Sequence, residues 1–159
     1  MLIEFEEAIL QRLKEEGISN VQGWSGKAEE LFMKPKTYPA VRYVFEGLDL
    51  QETPAPNIYN SIIRGSLIVF FQSLKEKGQG AYPILETILN ALMWQELNGY
   101  MVEIKKIELL FHESVDFAYQ VRLEAYGKYI VPFEEKEILT TRITTYEGEE
   151  LSTDVKKEG

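Results

Sequence analysis

Gly80-Ala81-Tyr82-Pro83-Ile84-Leu85-Glu86-Thr87-Ile88-Leu89-Asn90-Ala91-Leu92-Met93-Trp94, running on to Asn98-Gly99, is the stretch that orders the rest of the chain. Ala81, Ile84, Leu85, Ile88, Leu89, Leu92 and Met93 recur at the spacing of one helical face. Pro83 fits the first turn, where its missing N–H removes no intrahelical bond. Asn98-Gly99 supplies the left-handed residue that commonly stops a helix. Extended segments flank this stretch, so it reads as a helix laid across a sheet.

Upstream, residues 2–16 form a second amphipathic helix with Leu2, Phe5, Ile9 and Leu13 on one stripe, widened by Leu10. Glu4, Glu6 and Glu7 complement the dipole at its start, and Gly17 ends it. Residues 18–24 are extended, and residues 28–33 give one or two helical turns. Lys34-Pro35-Lys36-Thr37-Tyr38-Pro39 is a loop by composition. A strand follows over residues 40–48, with Val41, Tyr43 and Phe45 alternating against Arg42, Val44 and Glu46. Residues 51–57 are a Pro-containing loop.

Residues 58–73 form a long strand in which Gly65 marks a bulge or a close backbone approach. Leu67-Ile68-Val69-Phe70-Phe71 is apolar on both faces. A strand with one wet face alternates, so both faces of this one must be covered. Two coverings are open: a helix on one side with a loop or terminus on the other, or a neighbouring subunit on the second side.

Residues 74–80 are a charged connector. Residues 100–111 are extended, with Ile107, Leu109 and Phe111 facing one way and Lys106 and Glu108 the other. His112 to Asp116 is a hairpin turn, and residues 117–130 return with Tyr119, Val121, Leu123 and Ala125 on one face. Pro132 ends the sheet. The fold expected is α+β, a mostly antiparallel sheet of four to five strands with helices packed on one face.

The 159 residues suit one domain over residues 1–132, followed by an acidic arm or tail over residues 133–159, expected to be partly ordered to about Tyr146 and disordered beyond. Residues 134–159 carry eight acids and four bases. Within them Thr140-Thr141-Arg142-Ile143-Thr144-Thr145-Tyr146 has strand-like composition and suits an arm that pairs with a sheet edge, including one on another copy. Ile68, Phe70, Ile138, Leu139, Ile143 and Tyr146 are therefore the candidate subunit-interface residues. Trp24 and Trp94 stand either at the core edge or as interface anchors.

The net charge of −9 disfavours a grip on nucleic-acid phosphates. The absence of cysteine excludes disulfides and thiolate zinc sites. The longest apolar run is far shorter than the roughly 20 residues of a membrane span, and the acidic start Met1-Leu2-Ile3-Glu4 is unlike a signal peptide. A soluble protein made in the cytoplasm is expected.

Catalytic signals are weak. His112 is the single histidine and lies beside Glu113 and near Ser114 within one turn, where side chains diverge instead of converging as a triad requires. Glu134-Glu135-Lys136-Glu137 and Glu147-Gly148-Glu149-Glu150 are acidic, but lack calcium-loop spacing. Gly78-Gln79-Gly80 lacks the Lys-Ser/Thr of a P-loop. No catalytic, cofactor or metal residue is assigned, and no enzymatic activity is expected.

Four segments carry a family likeness: the core Ile9, Arg12, Leu13 within residues 5–13; Tyr38-Pro39-Ala40-Val41-Arg42-Tyr43-Val44-Phe45-Glu46-Gly47; Gly80-Ala81-Tyr82-Pro83-Ile84-Leu85-Glu86; and Ile107-Glu108-Leu109-Leu110-Phe111. With the order of elements over residues 2–130, the chain resembles the small tail proteins of Mu-like contractile-tailed phages and prophages. That family is similar to the tail terminators, or tail-completion proteins, of long-tailed phages. The resemblance implies a structural protein of the virion tail, made in the bacterial host. It implies a homo-oligomeric ring, usually a hexamer, that caps the tail tube and sheath and meets the head-tail connector. DNA would pass through such a ring without specific binding, and neither membrane nor cofactor is implied. The alternative is an acidic binding or adaptor module, monomeric or dimeric and without catalysis.

Overall fold

The computed structural model describes residues 1–31, 34–113 and 116–132. Its elements in chain order are α1 (Leu2–Glu15), β1 (Asn20–Gly23), α2 (Ala28–Leu31), β2 (Ala40–Glu52), β3 (Ile58–Phe71), α3 (Ala81–Leu92), β4 (Glu96–Leu97), β5 (Tyr100–Glu113) and β6 (Asp116–Ile130). The strands form one six-stranded sheet in the order β1-β2-β3-β6-β5-β4. β1 runs parallel to β2, whereas β4–β5 and β5–β6 are antiparallel, so the sheet is mixed.

This corrects the expected fold class. The sequence pointed to an α+β protein with helices over four to five mostly antiparallel strands. Strands instead take up 48% of the described residues and helices 23%, and the sheet dominates. Two short strands account for the larger count. β1 has four residues and β4 has two, lengths too short to show any alternation.

β4 also corrects the reading of Asn98-Gly99. α3 stops at Leu92, with Met93 already extended, and Trp94 adopts a left-handed conformation at φ 59°. Asn98 and Gly99, at φ 51° and 83°, form the two-residue turn between β4 and β5. Positive φ at both central residues is what a type I′ hairpin turn needs. The register Leu97↔Tyr100 and Glu96↔Met101 closes it.

The helices form where the apolar spacing put them. α1 buries Phe5, Ile9 and Leu13. It ends in a Schellman motif, with the Gly17 N–H on the Lys14 carbonyl and the Ile18 N–H on the Leu13 carbonyl. α3 buries Ala81, Ile84, Leu85, Ile88, Ala91 and Leu92. Two of its unpaired N–H groups are met by the connector's backbone: Ala81 donates to the Ser73 carbonyl and Tyr82 to the Leu74 carbonyl.

Both helices join one core with Val41, Tyr43, Ile63, Leu67, Val69, Phe71, Val102, Val121, Leu123 and Ala125. Phe5 sits edge-on to Tyr43 and Tyr100, with ring centroids 6.3 and 5.9 Å apart. Gly65 is the close approach expected: a β-carbon there would lie 2.9 Å from the Tyr43 ring and 3.1 Å from the Val44 carbonyl oxygen.

The alternation expected along β2 and β5 fails in two places. Phe45 is exposed rather than continuing the buried row of Val41 and Tyr43. In β5, register shifts lie between Ile104 and Lys106 and between Leu109 and Phe111. Such bulges insert an extra residue and break the two-residue period. The hairpin ladder also extends further than expected, through His112↔Phe117 to Glu113↔Asp116.

Leu67, Val69 and Phe71 face the main core. Ile68 and Phe70 sit on the sheet's other face in a second cluster with Ala40 and Ala118, against which Tyr38 and Val44 pack. Loop residue Tyr38 thus supplies cover from within the same chain.

The described residues divide into two compact units, one within Met1–Asp49 and Ile62–Gly127 and the other within Leu50–Ser61 and residues 128–132. The first holds both apolar clusters. In the second, the Thr53 hydroxyl donates to the Ile58 carbonyl at 2.6 Å, and the Val131 N–H donates to the Asn57 carbonyl at 2.8 Å. Lys128 donates to the Asn60 side chain. Among the described residues no helix is long and apolar enough to cross a membrane.

Candidate functional site

The parallel pairing of β1 with β2 builds a groove. Asn20 lies opposite Ala40 and Gln22 opposite Arg42, so two amides from β1 stand beside the guanidinium of β2. The loop over residues 34–39 and Glu30 of α2 close the sides, and Phe70 of β3 contributes an apolar surface. The space is about 540 Å³ and open to solvent. Lys34, Lys36 and Arg42 line it, with Glu30 as the one acid among its described lining residues. An excess of cations here runs against a chain whose net charge is −9.

Arg42 is half-buried, and its Nη1 donates to the Val41 carbonyl at 2.9 Å, to Asn20 Oδ1 at 3.2 Å and to the Asn20 carbonyl at 3.5 Å. All three acceptors are neutral. Burial therefore lowers its pKa with no carboxylate among the described partners to offset the desolvation. Asn20 is held in turn by Thr37, donating to its carbonyl at 3.0 Å and to its hydroxyl at 2.9 Å. Lys36 is exposed at the rim.

Asp116 fastens the groove's loop to the sheet. It pairs with Lys34 Nζ at 2.9 Å and accepts from Gln72 Nε2 at 3.1 Å. The Lys34 hydrogen bond, then that of Gln72, holds the Asp116 carboxyl below the ordinary aspartate value. Burial, and then the neighbouring Asp116 charge, push the Tyr38 phenol up.

Other polar clusters are structural in geometry. The fully buried Ser66 hydroxyl donates to Glu46 at 2.6 Å and accepts from Gln120 Nε2 at 2.9 Å, tying β2, β3 and β6 together. Tyr126 donates to Glu124 at 2.6 Å, and that hydrogen bond, followed by burial, raises its phenol's pKa. Ser66 is 0% exposed, so its hydroxyl is closed to a substrate. His112 and Glu113 belong to β5, and Ser114 lies outside the described residues. Among the described residues no group of three His, Cys, Asp or Glu side chains is placed to hold a metal ion.

Of the six interface candidates, Ile68 and Phe70 are each 5% exposed within the single chain. Ile138, Leu139, Ile143 and Tyr146 lie outside the described residues. Trp24 Nε1 donates to the Lys27 carbonyl at 2.7 Å. Trp94 is 59% exposed in its left-handed conformation, so it projects from the surface instead of edging the core. Leu109 and Leu110 are also exposed. No sequence signal marks the groove, since Lys34 and Lys36 fit loop composition and Arg42 fits the polar alternate of a strand.

No protein-family model and no curated protein sequence matches the chain. Among solved structures it is similar to a chain of the virion of a native gene transfer agent particle, at 11% identity and a TM-score of 0.57. That likeness covers 80% of this chain and 97% of the other. At this identity the likeness is one of fold.

Proposed function

We propose that this chain is a structural protein of a phage-like particle, a tail terminator whose copies close into a ring at the end of the tail tube and sheath that meets the head connector. The observation carrying this reading is the fold shared with a chain of a gene transfer agent virion along nearly the whole of that chain. The resemblance in element order to phage tail-completion proteins supports the same role. A net charge of −9 suits a surface that DNA passes without sticking. Exposed Trp94, Leu109 and Leu110 supply apolar surface for neighbours. The role needs no bond-making step, and none is assigned.

A ring requires a head-to-tail contact whose rotation closes. Sedimentation velocity and negative-stain imaging of the purified protein test it, alone and with tail tubes. Closed rings, expected with six copies, that cap tube ends support the reading. A strictly monomeric protein that leaves tubes uncapped and growing overturns it, and a one-to-one complex with a basic partner would favour the adaptor reading.

A further inference from the structure

We propose that the groove between β1, β2 and the loop over residues 34–39 is a carboxylate-binding site whose occupant is the acidic stretch over residues 134–150 of a second copy of this chain. Lys36, Arg42 and Lys34, the last already paired with Asp116, line the groove, with Glu30 the one acid among its described lining residues. Arg42 is the decisive member: half-buried, desolvated, and bonded among the described residues only to neutral oxygens. A guanidinium in that state gains most from a carboxylate, which accepts charge-assisted and bidentate hydrogen bonds. Asn20 and Gln22 add amide donors on one side.

The chain carries the matching chemistry. Residues 134–150 hold six glutamates against Lys136 and Arg142, interleaved with Ile138, Leu139 and Ile143. Fully extended, residues 134–150 would span up to about 3.3 Å per residue. A polyphosphate is the poorer occupant. Phosphate chains need concentrated Lys and Arg, and the groove presents a few cations on a chain of net charge −9. Groove on one copy and acidic segment on the next make a heterologous contact, the class that closes a ring. The inference therefore rests on the proposed self-association and names one of its contacts.

Zero-length carbodiimide cross-linking of the full chain tests this, using an equal mixture of copies with natural and heavy nitrogen. Amide links between Lys36 and glutamates of residues 134–150 are expected, in peptide pairs of mixed isotope. Their yield should fall by about tenfold at about 0.5 M salt, because exposed charge pairs are screened over a few ångströms there. Lys36→Glu, at an exposed rim position, should lower self-association, and Glu135→Lys with Glu137→Lys in the same chain should restore it. Links of a single isotope only, absence of Lys36 from the linked pairs, or protection of Lys36 by duplex DNA but not by a peptide of residues 133–150 would each overturn the inference. Rings without the Lys36 links remove this contact alone. A monomer in sedimentation removes the ring as well.

Discussion

The Nε–H of Arg12 in α1 donates to the carbonyl oxygen of Ala91, in the last turn of α3, at 3.0 Å. The last carbonyls of a helix have no partner within it, and a cation there also meets the favourable end of its dipole. The bond joins the two helices of the core at a point where their apolar faces already meet. Glu15 and Glu16 lie 3.9 and 3.7 Å from Arg12 Nη1 and steer the side chain. Arg12→Met, which keeps the aliphatic stem, should lower unfolding stability by about 1 kcal/mol, the net worth of such a hydrogen bond. Urea titration reads this, and an unchanged midpoint would show that water caps Ala91 equally well.

Ser66 couples three strands through one hydroxyl. Replacing it with Ala leaves the Gln120 amide only its longer bond to Glu46, at 3.4 Å, and removes the 2.6 Å bond from Ser66 to Glu46. Ser66→Ala should cost about 1–2 kcal/mol. In a double-mutant cycle, Ser66→Ala and Gln120→Leu should couple by about 0.5 kcal/mol or more. Strict additivity would mean the network is only proximity.

Local periodicity revealed the helices because their apolar rows are complete within the segment: Phe5, Ile9, Leu13 and Ile84, Ile88, Leu92 are all buried. It failed where meaning comes from a partner strand. Asn98-Gly99 satisfies the same left-handed requirement whether it stops a helix or turns a hairpin. Only the pairing of Glu96 with Met101 decides between them. The run Leu67–Phe71 announced two covered faces, and the cover over Ile68 and Phe70 includes Tyr38, from a loop read only as polar punctuation. The groove is less legible still. Asn20 and Arg42 are distant in sequence and meet through a parallel four-residue ladder that no alternation signals.

Asp116 should give the fold an acid-sensitive latch. Its folded-state pKa is depressed, first by the hydrogen bond from Lys34 and then by that from Gln72. A depressed carboxyl contributes stability that is fully present above its unfolded value and is lost as pH falls through the folded value. Carboxyl NMR titration should place Asp116 below the ordinary 3.8. In Lys34→Met it should move upward, and the acid unfolding midpoint should move to higher pH. An Asp116 titration indifferent to the loss of Lys34 would mean that the ion pair is not formed in solution.

Gly99 tests the hairpin directly. Its φ is 83° and an added β-carbon would meet nothing within 4 Å, so a substitution there is penalised by backbone conformation alone. Gly99→Ala should destabilise the protein by about 1 kcal/mol, the usual cost of an L-residue in the left-handed region. Asn98 tolerates its φ of 51° through its short polar side chain, and Asn98→Val should cost at least as much, because branching at the β-carbon adds to the same strain. Asn98→Gly should be nearly neutral, since glycine meets the type I′ requirement equally well. If Asn98-Gly99 instead terminated a helix running on from Leu92, Gln95→Pro and Leu97→Pro would both collapse helical circular dichroism. With β4 paired to β5 and α3 ended at Leu92, both should leave the helical signal of α3 intact, and hydrogen exchange should show faster opening confined to residues 95–102.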